Sequence, residues 1–173
     1  LLYYADKTLL SAYIDIFGQH RLALNKITIE PSFITNLFPI PIDSDSEHHH
    51  LLVDLQEDKL LIYVLQGSRL RFFRHVPYGF NDVKVLAQKV QLNGETKEIE
   101  EHVLLGLMQK FNLFKKSEGL NKNLKEQVFF MIRPALEKMA IEMQKSVSFF
   151  SKQLGKNILV SNVFLMGDFY RMT

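Results

Sequence analysis

Four small groups of residues carry the side chains that chemistry would need. Asp54 stands at the end of an apolar run, Leu51–Leu55, directly before a short polar turn, Gln56–Lys59. A carboxylate there either caps its own turn or positions a metal ion. The residues that follow it are Leu55, Gln56 and Glu57, with no glycine to let backbone approach a phosphate closely. Glu57 and Asp58 add negative charge that would repel a polyanion. The turn-capping reading is therefore the stronger one for Asp54. Glu142 and Lys145 stand three apart in a helical pattern, with Lys138 four residues before Glu142. That spacing reads as a solvated ion-pair face of small energetic weight. Gly167 and Asp168 follow an apolar run, where a strand opens into a loop. His48, His49 and His50 are consecutive, and consecutive residues rarely converge on one ion, so a flexible loop is expected and no metal site. No Ser-His-Asp order, P-loop or dinucleotide fingerprint is present.

The elements that must position these residues follow from periodicity. Three apolar runs, Leu51–Leu55, Leu60–Leu65 and Leu70–Val76, are joined by polar turns at Gln56–Lys59 and Gln66–Arg69. This predicts a three-stranded antiparallel meander. Before it, Leu1–Ala5 reads as a strand, and a helix capped by Asp6 or Thr8 carries Leu9, Leu10, Tyr13, Ile14 and Phe17 to a stop at Gly18. Lys26–Glu30 reads as a second strand, Pro31 opens a short helix over Ser32–Leu37, and residues 39–50 read as a linker. After Gly79 the patterns predict helices over Asp82–Gln91 and Glu95–Phe111, broken at Asn93-Gly94, then a polar loop at Lys115–Asn123. The longest element is a helix from Leu124 to about Leu154. Val128, Ile132, Leu136, Met139, Met143, Val147, Phe150 and Leu154 form one buried stripe, Pro134 a kink or fresh first turn, and Gly155 the stop. Asn157–Met166 then reads as a buried strand. The aromatic pairs Phe72/Phe73, Phe129/Phe130 and Phe149/Phe150 each give one ring to a core face. An exposed Phe130 or Phe149 would mark a surface for further packing.

Bulk properties exclude several classes. A chain of 173 residues holds one good core or two small lobes. A net charge of +2 gives no reason to propose nucleic acid, and the lysines at Lys115, Lys116, Lys122 and Lys125 read as a solvated basic loop. The absence of cysteine rules out disulfides and thiolate zinc sites. No apolar run approaches the roughly 20 residues of a membrane span. The opening LLYYADK and the closing GDFYRMT read as cuts within a longer protein, since a last strand is normally covered by a following helix.

The order of strand meander, helices, long helix, strand and glycine resembles the second half of an actin-like fold. The specific resemblance is to PilM-type proteins, the actin-like proteins of type IV pilus assembly. Three segments carry it: Leu1–Phe38 with its Ile29-Glu30-Pro31 corner, Leu51–Phe80 with Arg74-His75-Val76-Pro77-Tyr78-Gly79, and 137–166 (EKMAIEMQKSVSFFSKQLGKNILVSNVFLM). The resemblance implies an α/β actin-like (RNase H-like) ATPase fold, partial, with a mixed sheet and an inserted helical lobe. Residues 1–47 would end a first lobe and form a linker, 48–80 and 127–173 a second RNase H-like lobe, and 81–126 an inserted helical subdomain.

Carried over by position, Asp54 matches the second-phosphate-loop aspartate that positions Mg²⁺ or the attacking water. Glu142 and Lys145 match long-helix positions that face the ribose and base, and Gly167 matches the first glycine of the adenosine loop. Gln56 departs from the phosphate-loop glycine, and Gly167-Asp168-Phe169 from a run of glycines. With both loops altered, no ATP or Mg cofactor is expected and no catalytic residue beyond the candidate Asp54. The function implied is a non-catalytic, pseudo-ATPase scaffold of a type IV pilus or type II secretion platform. It would be cytoplasmic and held at the inner membrane through the cytoplasmic tail peptide of a partner, with self-association possible. The alternatives are an active actin-like ATPase, or the cytoplasmic domain of a type II secretion L-type protein that docks the secretion ATPase.

Overall fold

The computed structural model describes residues 6–28, 31, 48–67, 69–92, 95–109 and 122–169. The readings at Leu1–Ala5, Ser32–Leu37, 39–47 and 115–121 lie outside them. The chain divides into two compact units, Leu1–Leu37 and Phe38–Thr173.

In the first unit, α1 spans Lys7–Gln19. Asp6 is its cap: the side chain accepts from Thr8 N–H at 2.7 Å and Leu9 N–H at 3.4 Å, satisfying two of the unpaired amides at a helix start. Those same bonds hold the Asp6 carboxyl below its ordinary pKa. Gly18 does not end the helix. The turn comes at Arg21, with φ 53°, where Leu22 N–H donates to Phe17 O and Arg21 N–H to Gly18 O. That paired closure needs one left-handed residue, and here an arginine fills it. Lys26–Thr28 form no strand, and Glu30 lies outside the described residues.

The second unit is a mixed α/β layer built on a four-stranded sheet in the order β3-β2-β1-β6. The strands are β1 His49–Leu55, β2 Leu60–Gln66, β3 Arg69–Val76 and β6 Val160–Gly167. The meander is as the spacing predicts. β1 pairs antiparallel with β2 and parallel with β6. Lying in the middle, β1 is buried along its whole length and β2 nearly so, which is why both read as continuous apolar runs rather than alternating ones. His49 and His50 are the first residues of β1 and are buried. The loop expected there is corrected: pairing to Gln66 and Leu65 supplies the backbone partners that a loop reading leaves out.

Leu51, Val53, Leu55, Leu60, Ile62 and Val64 point to one face of the sheet, into a core with Phe80, Val83, Leu104, Met108, Val128, Ile132, Met139 and Phe150. These come from α2 Phe80–Ala87, α3 Glu101–Gln109 and α4 Lys122–Leu154. Between α2 and α3 the structure departs from expectation. Lys89–Leu92 and Glu95–Glu98 are β4 and β5, an antiparallel pair with Leu92 opposite Glu95. The two residues between them are Asn93-Gly94, the dipeptide that best suits a two-residue hairpin. Over Lys89–Leu92 and Glu95–Glu98, strand pairing takes the place of the expected helical turns.

Helix α4 runs unbroken for 33 residues, with Pro134 inside it. Pro134 removes the donor for the Phe130 carbonyl. Both residues are exposed, so the lost bond lies on the water side of the helix. The predicted stripe is buried or half-buried from Val128 to Phe150, while Leu154 is exposed. Gly155, at φ 65°, ends the helix. β6 corrects a second expectation, since Val163 is 50% and Leu165 55% exposed. It is an edge strand, and among the described residues none pairs with its outer side.

Candidate functional site

Asp54 and Gly167 meet. They end two neighbouring parallel strands, with Asp54 opposite Met166 and Leu55 opposite Gly167. The carboxyl ends of parallel strands are where ligand crevices open in α/β sheets. Gly167 is left-handed at φ 70°, and a Cβ there would run into Asp54 Oδ1 and the Leu55 carbonyl. The glycine is needed because the Asp54 carboxylate lies directly against it. On its other oxygen, Asp54 Oδ2 accepts from Gln56 Nε2 at 2.8 Å. Gln56, two residues after Asp54, therefore sends its side-chain amide back onto the aspartate. Asp54 itself is buried.

The turn after Asp54 is closed. Gln56 N–H donates to Lys59 O at 2.9 Å. Its carbonyls are used as well: Phe80 N–H donates to Gln56 O at 2.8 Å and Asn81 N–H to Glu57 O at 2.9 Å. A helix start presents unpaired amides and the positive end of its dipole, the usual seat of an anion. At α2 two of those amides are taken by backbone of the turn. Gly79 makes the docking possible, because a Cβ on it would meet Lys59 N at 2.5 Å and Asp58 C at 2.6 Å. Gly79 N–H then donates to Asp82 Oδ2 at 2.8 Å, completing the cap. The loop after β6 turns inward too, and Phe169 packs against the main core.

Glu142 and Lys145 are not brought to Asp54. Alternation along β1 puts Leu51, Val53 and Leu55 on the α4 side and Asp54 on the opposite face. Glu142 instead bridges two cations. It accepts from Lys145 Nζ at 2.7 Å and from Arg74 Nη2 at 2.7 Å. The expected ion pair with Lys145 is present and the Lys145 side chain is 59% exposed, but that of Glu142 is only 13% exposed, so its end of the pair departs from a solvated face. The Lys145 hydrogen bond, and after it the charges of Lys145 and Arg74, hold the carboxyl below its ordinary value despite burial. Ser146, fully buried, donates to the Glu142 carbonyl at 2.8 Å and lies 3.4 Å from Arg74 Nη1. Lys138 does not join this group; its Nζ stands 3.7 Å over the Tyr78 ring, a cation–π contact.

Sequence reasoning named Arg74 and Gly79 only as the ends of a motif and gave neither a role. Arg74 lies opposite Ile62, a core position. A charge at an inward-facing place in a meander asks for a partner on the covering helix, and that signal was present. Gly79 had its own signal as the last residue of the Pro77-Tyr78-Gly79 corner.

Among the described residues no group of three His, Asp or Glu side chains is arranged to hold a metal. None of their helices is long and apolar enough to cross a membrane.

No protein-family profile matches the chain, and no curated protein matches it in sequence. Among solved structures the fold is similar to that of a chain described as "PilM-PilN type IV pilus biogenesis complex". The TM-score is 0.52 at 14% identity, over 94% of this chain and 42% of that one. The likeness is one of fold, and this chain spans less than half the length of that neighbour.

Proposed function

We propose that the chain is part of an actin-like scaffold in type IV pilus assembly that works by holding partners rather than by turning over nucleotide. The fold likeness to a PilM–PilN complex supports the pilus setting. The strand order β3-β2-β1-β6 with a parallel last strand supports the RNase H-like unit of an actin-like fold. In this reading residues 48–80 and 127–173 form that unit around the inserted segment 81–126.

One observation carries the non-catalytic part. The turn that would cradle a phosphate spends its backbone groups on itself and on the start of α2, while Gln56 occupies Asp54. Placing a phosphate there would break those bonds and draw the Gln56 amide off the buried Asp54 carboxylate, and a buried polar group left unpaired costs about 1–3 kcal/mol. The partner would be an inner-membrane assembly protein of the PilN kind, its cytoplasmic segment holding this chain at the membrane.

Calorimetry of the full-length protein with Mg-ATP tests the reading. No binding heat is expected, and Gln56→Gly should not create any, since the turn remains docked on Gly79. Tight Mg-ATP binding that is lost in Asp54→Ala would overturn it. Such binding would favour an actin-like ATPase, which the meeting of Asp54 and Gly167 at the strand ends supports. Co-purification of the full-length protein with a PilN-type partner is the expected positive result. Recovery with the secretion ATPase instead would favour a type II secretion L-type domain.

A further inference from the structure

At the opposite end of β1 from Asp54, the sheet carries a histidine cluster that the scaffold reading does not use. His50 is 4% exposed. Its Nδ1 lies 3.2 Å from Asn162 Nδ2 on β6, and among the described residues no hydrogen-bond partner reaches its buried Nε2. His48 Nδ1 lies 3.2 Å from Ser161 Oγ. Two adjacent β6 residues can serve two histidines spaced i, i+2 because the register shifts here. His49 pairs with Val160 and His50 with Asn162, leaving Ser161 as the extra residue of a bulge. A bulge re-aims neighbouring side chains and breaks the ladder locally.

We propose that His50, held at this bulged end of the β1–β6 pair, is an acid-sensitive latch: neutral, it lets the two strands close, and protonated, it opens their first rungs.

The reason lies in donors and acceptors. In neutral imidazole one nitrogen donates and the other accepts. With Asn162 Nδ2 donating to Nδ1, the Nε2–H has no acceptor. Turning the amide round makes Nδ1–H donate to the amide oxygen and leaves Nε2 an unmet acceptor. A proton on both nitrogens adds a buried cation and leaves at least one N–H unpaired, which is far costlier than burying the neutral ring.

Among the described residues, none offsets that charge. His48 is the titratable group beside it, and a second imidazolium there would repel it. His49 turns to the other face and packs on Phe150, ring centroids 5.9 Å apart. Across β2 stands Leu65, and along β6 the Phe164 ring at 6.2 Å. Asp54 is on the same face but four residues away, about 13 Å along an extended strand. Burial, and secondarily His48, accordingly push the His50 pKa below its ordinary value of 6.5. As pH falls through 6.5 the unfolded or opened chain takes a proton that the closed one refuses. Closure therefore weakens from that pH downward, until the closed form also protonates.

The test is an NMR titration of the histidine rings in the full-length protein. It is joined to hydrogen-exchange protection at pH 7.5 and 5.5 for wild type, His50→Leu and His48→Gln. In wild type, His50 should titrate below 6.5. Protection of the amides at Leu51 and at Ser161–Val163 should drop about tenfold between the two pH values, while those at the Leu55 end keep theirs. His50→Leu should show no such local drop, and His48→Gln should raise the His50 pKa. His50 titrating at or above 6.5 in wild type would overturn the latch, whatever the variants do. So would an equal local loss of protection in His50→Leu.

Discussion

The two edges of the sheet are built in opposite ways. β3 (Arg69–Val76) carries Arg69, Arg71, Arg74 and His75 in eight residues. β6 (Val160–Gly167) has no charged residue at all. The β3 edge follows the usual protection against edge-to-edge pairing, charge on the outer strand. It is also tied across to α4 through Arg74 and Glu142. The β6 edge shows Val163 and Leu165 to water on the α4 side, opposite Leu51 and Val53. One side of this sheet is finished with electrostatics, while the other keeps core-type residues where water reaches them.

Both edges end in a glycine that another segment leans on, and the strongest perturbations lie there. Gly79→Ala, just beyond β3, would place a Cβ inside the Glu57–Lys59 backbone. Because backbone cannot rotate away as a side chain can, a loss of about 3 kcal/mol is expected by urea denaturation. Gly167→Ala, at the end of β6, combines a left-handed φ with contact on Asp54 and the Leu55 carbonyl. The expected loss is about 2 kcal/mol, smaller because β6, with no strand on its outer side among the described residues, can shift. Equal losses at the two glycines would remove the contrast in rigidity.

A step down in size is the tie itself. Arg74→Ala or Glu142→Ala should cost about 1–2 kcal/mol, discounted for the partial exposure of Arg74. The double variant should cost less than the two added, since the pair is in contact. Glu142 is held below its ordinary value of 4.5. Its contribution is therefore present above that pH and is lost as pH falls through the depressed folded value. Denaturation midpoints of wild type and Glu142→Gln should converge as pH drops below 4.5. The smallest effect on folding falls on the bare edge. Val163→Lys and Leu165→Lys should change stability by less than about 0.5 kcal/mol. They should nevertheless raise the concentration at which light scattering begins on heating, while Arg69→Val and Arg71→Val lower it.

Much of the fold was legible because its signals are local. Three apolar runs with four-residue polar turns define a meander whatever packs upon it, and a stripe repeating at three and four residues defines α4. The failures are as instructive. His49 and His50 resembled a loop because three consecutive histidines carry no apolar pattern, yet ladder bonds to β2 made them strand. The segment after α2 held helical spacing and an Asn-Gly turn signal together, and Lys89–Leu92 and Glu95–Glu98 pair as strands. β6 looked buried because its residues are apolar, but composition does not say whether a neighbour is present.

The candidate site divides along the same line. That Asp54 closes a strand, that no glycine follows it, and that Gly167 ends the last strand are properties of the sequence. They already argued against a phosphate loop. What the tertiary structure decided is where those groups are spent. Asp54 lies against Gly167 and under the Gln56 amide, the turn caps α2, and Glu142 is drawn to Arg74 on the far side of the sheet. Strand alternation and strand order determine which face and which neighbour each residue meets. Those are long-range pairings, so no window of sequence around Asp54 or Glu142 contains them.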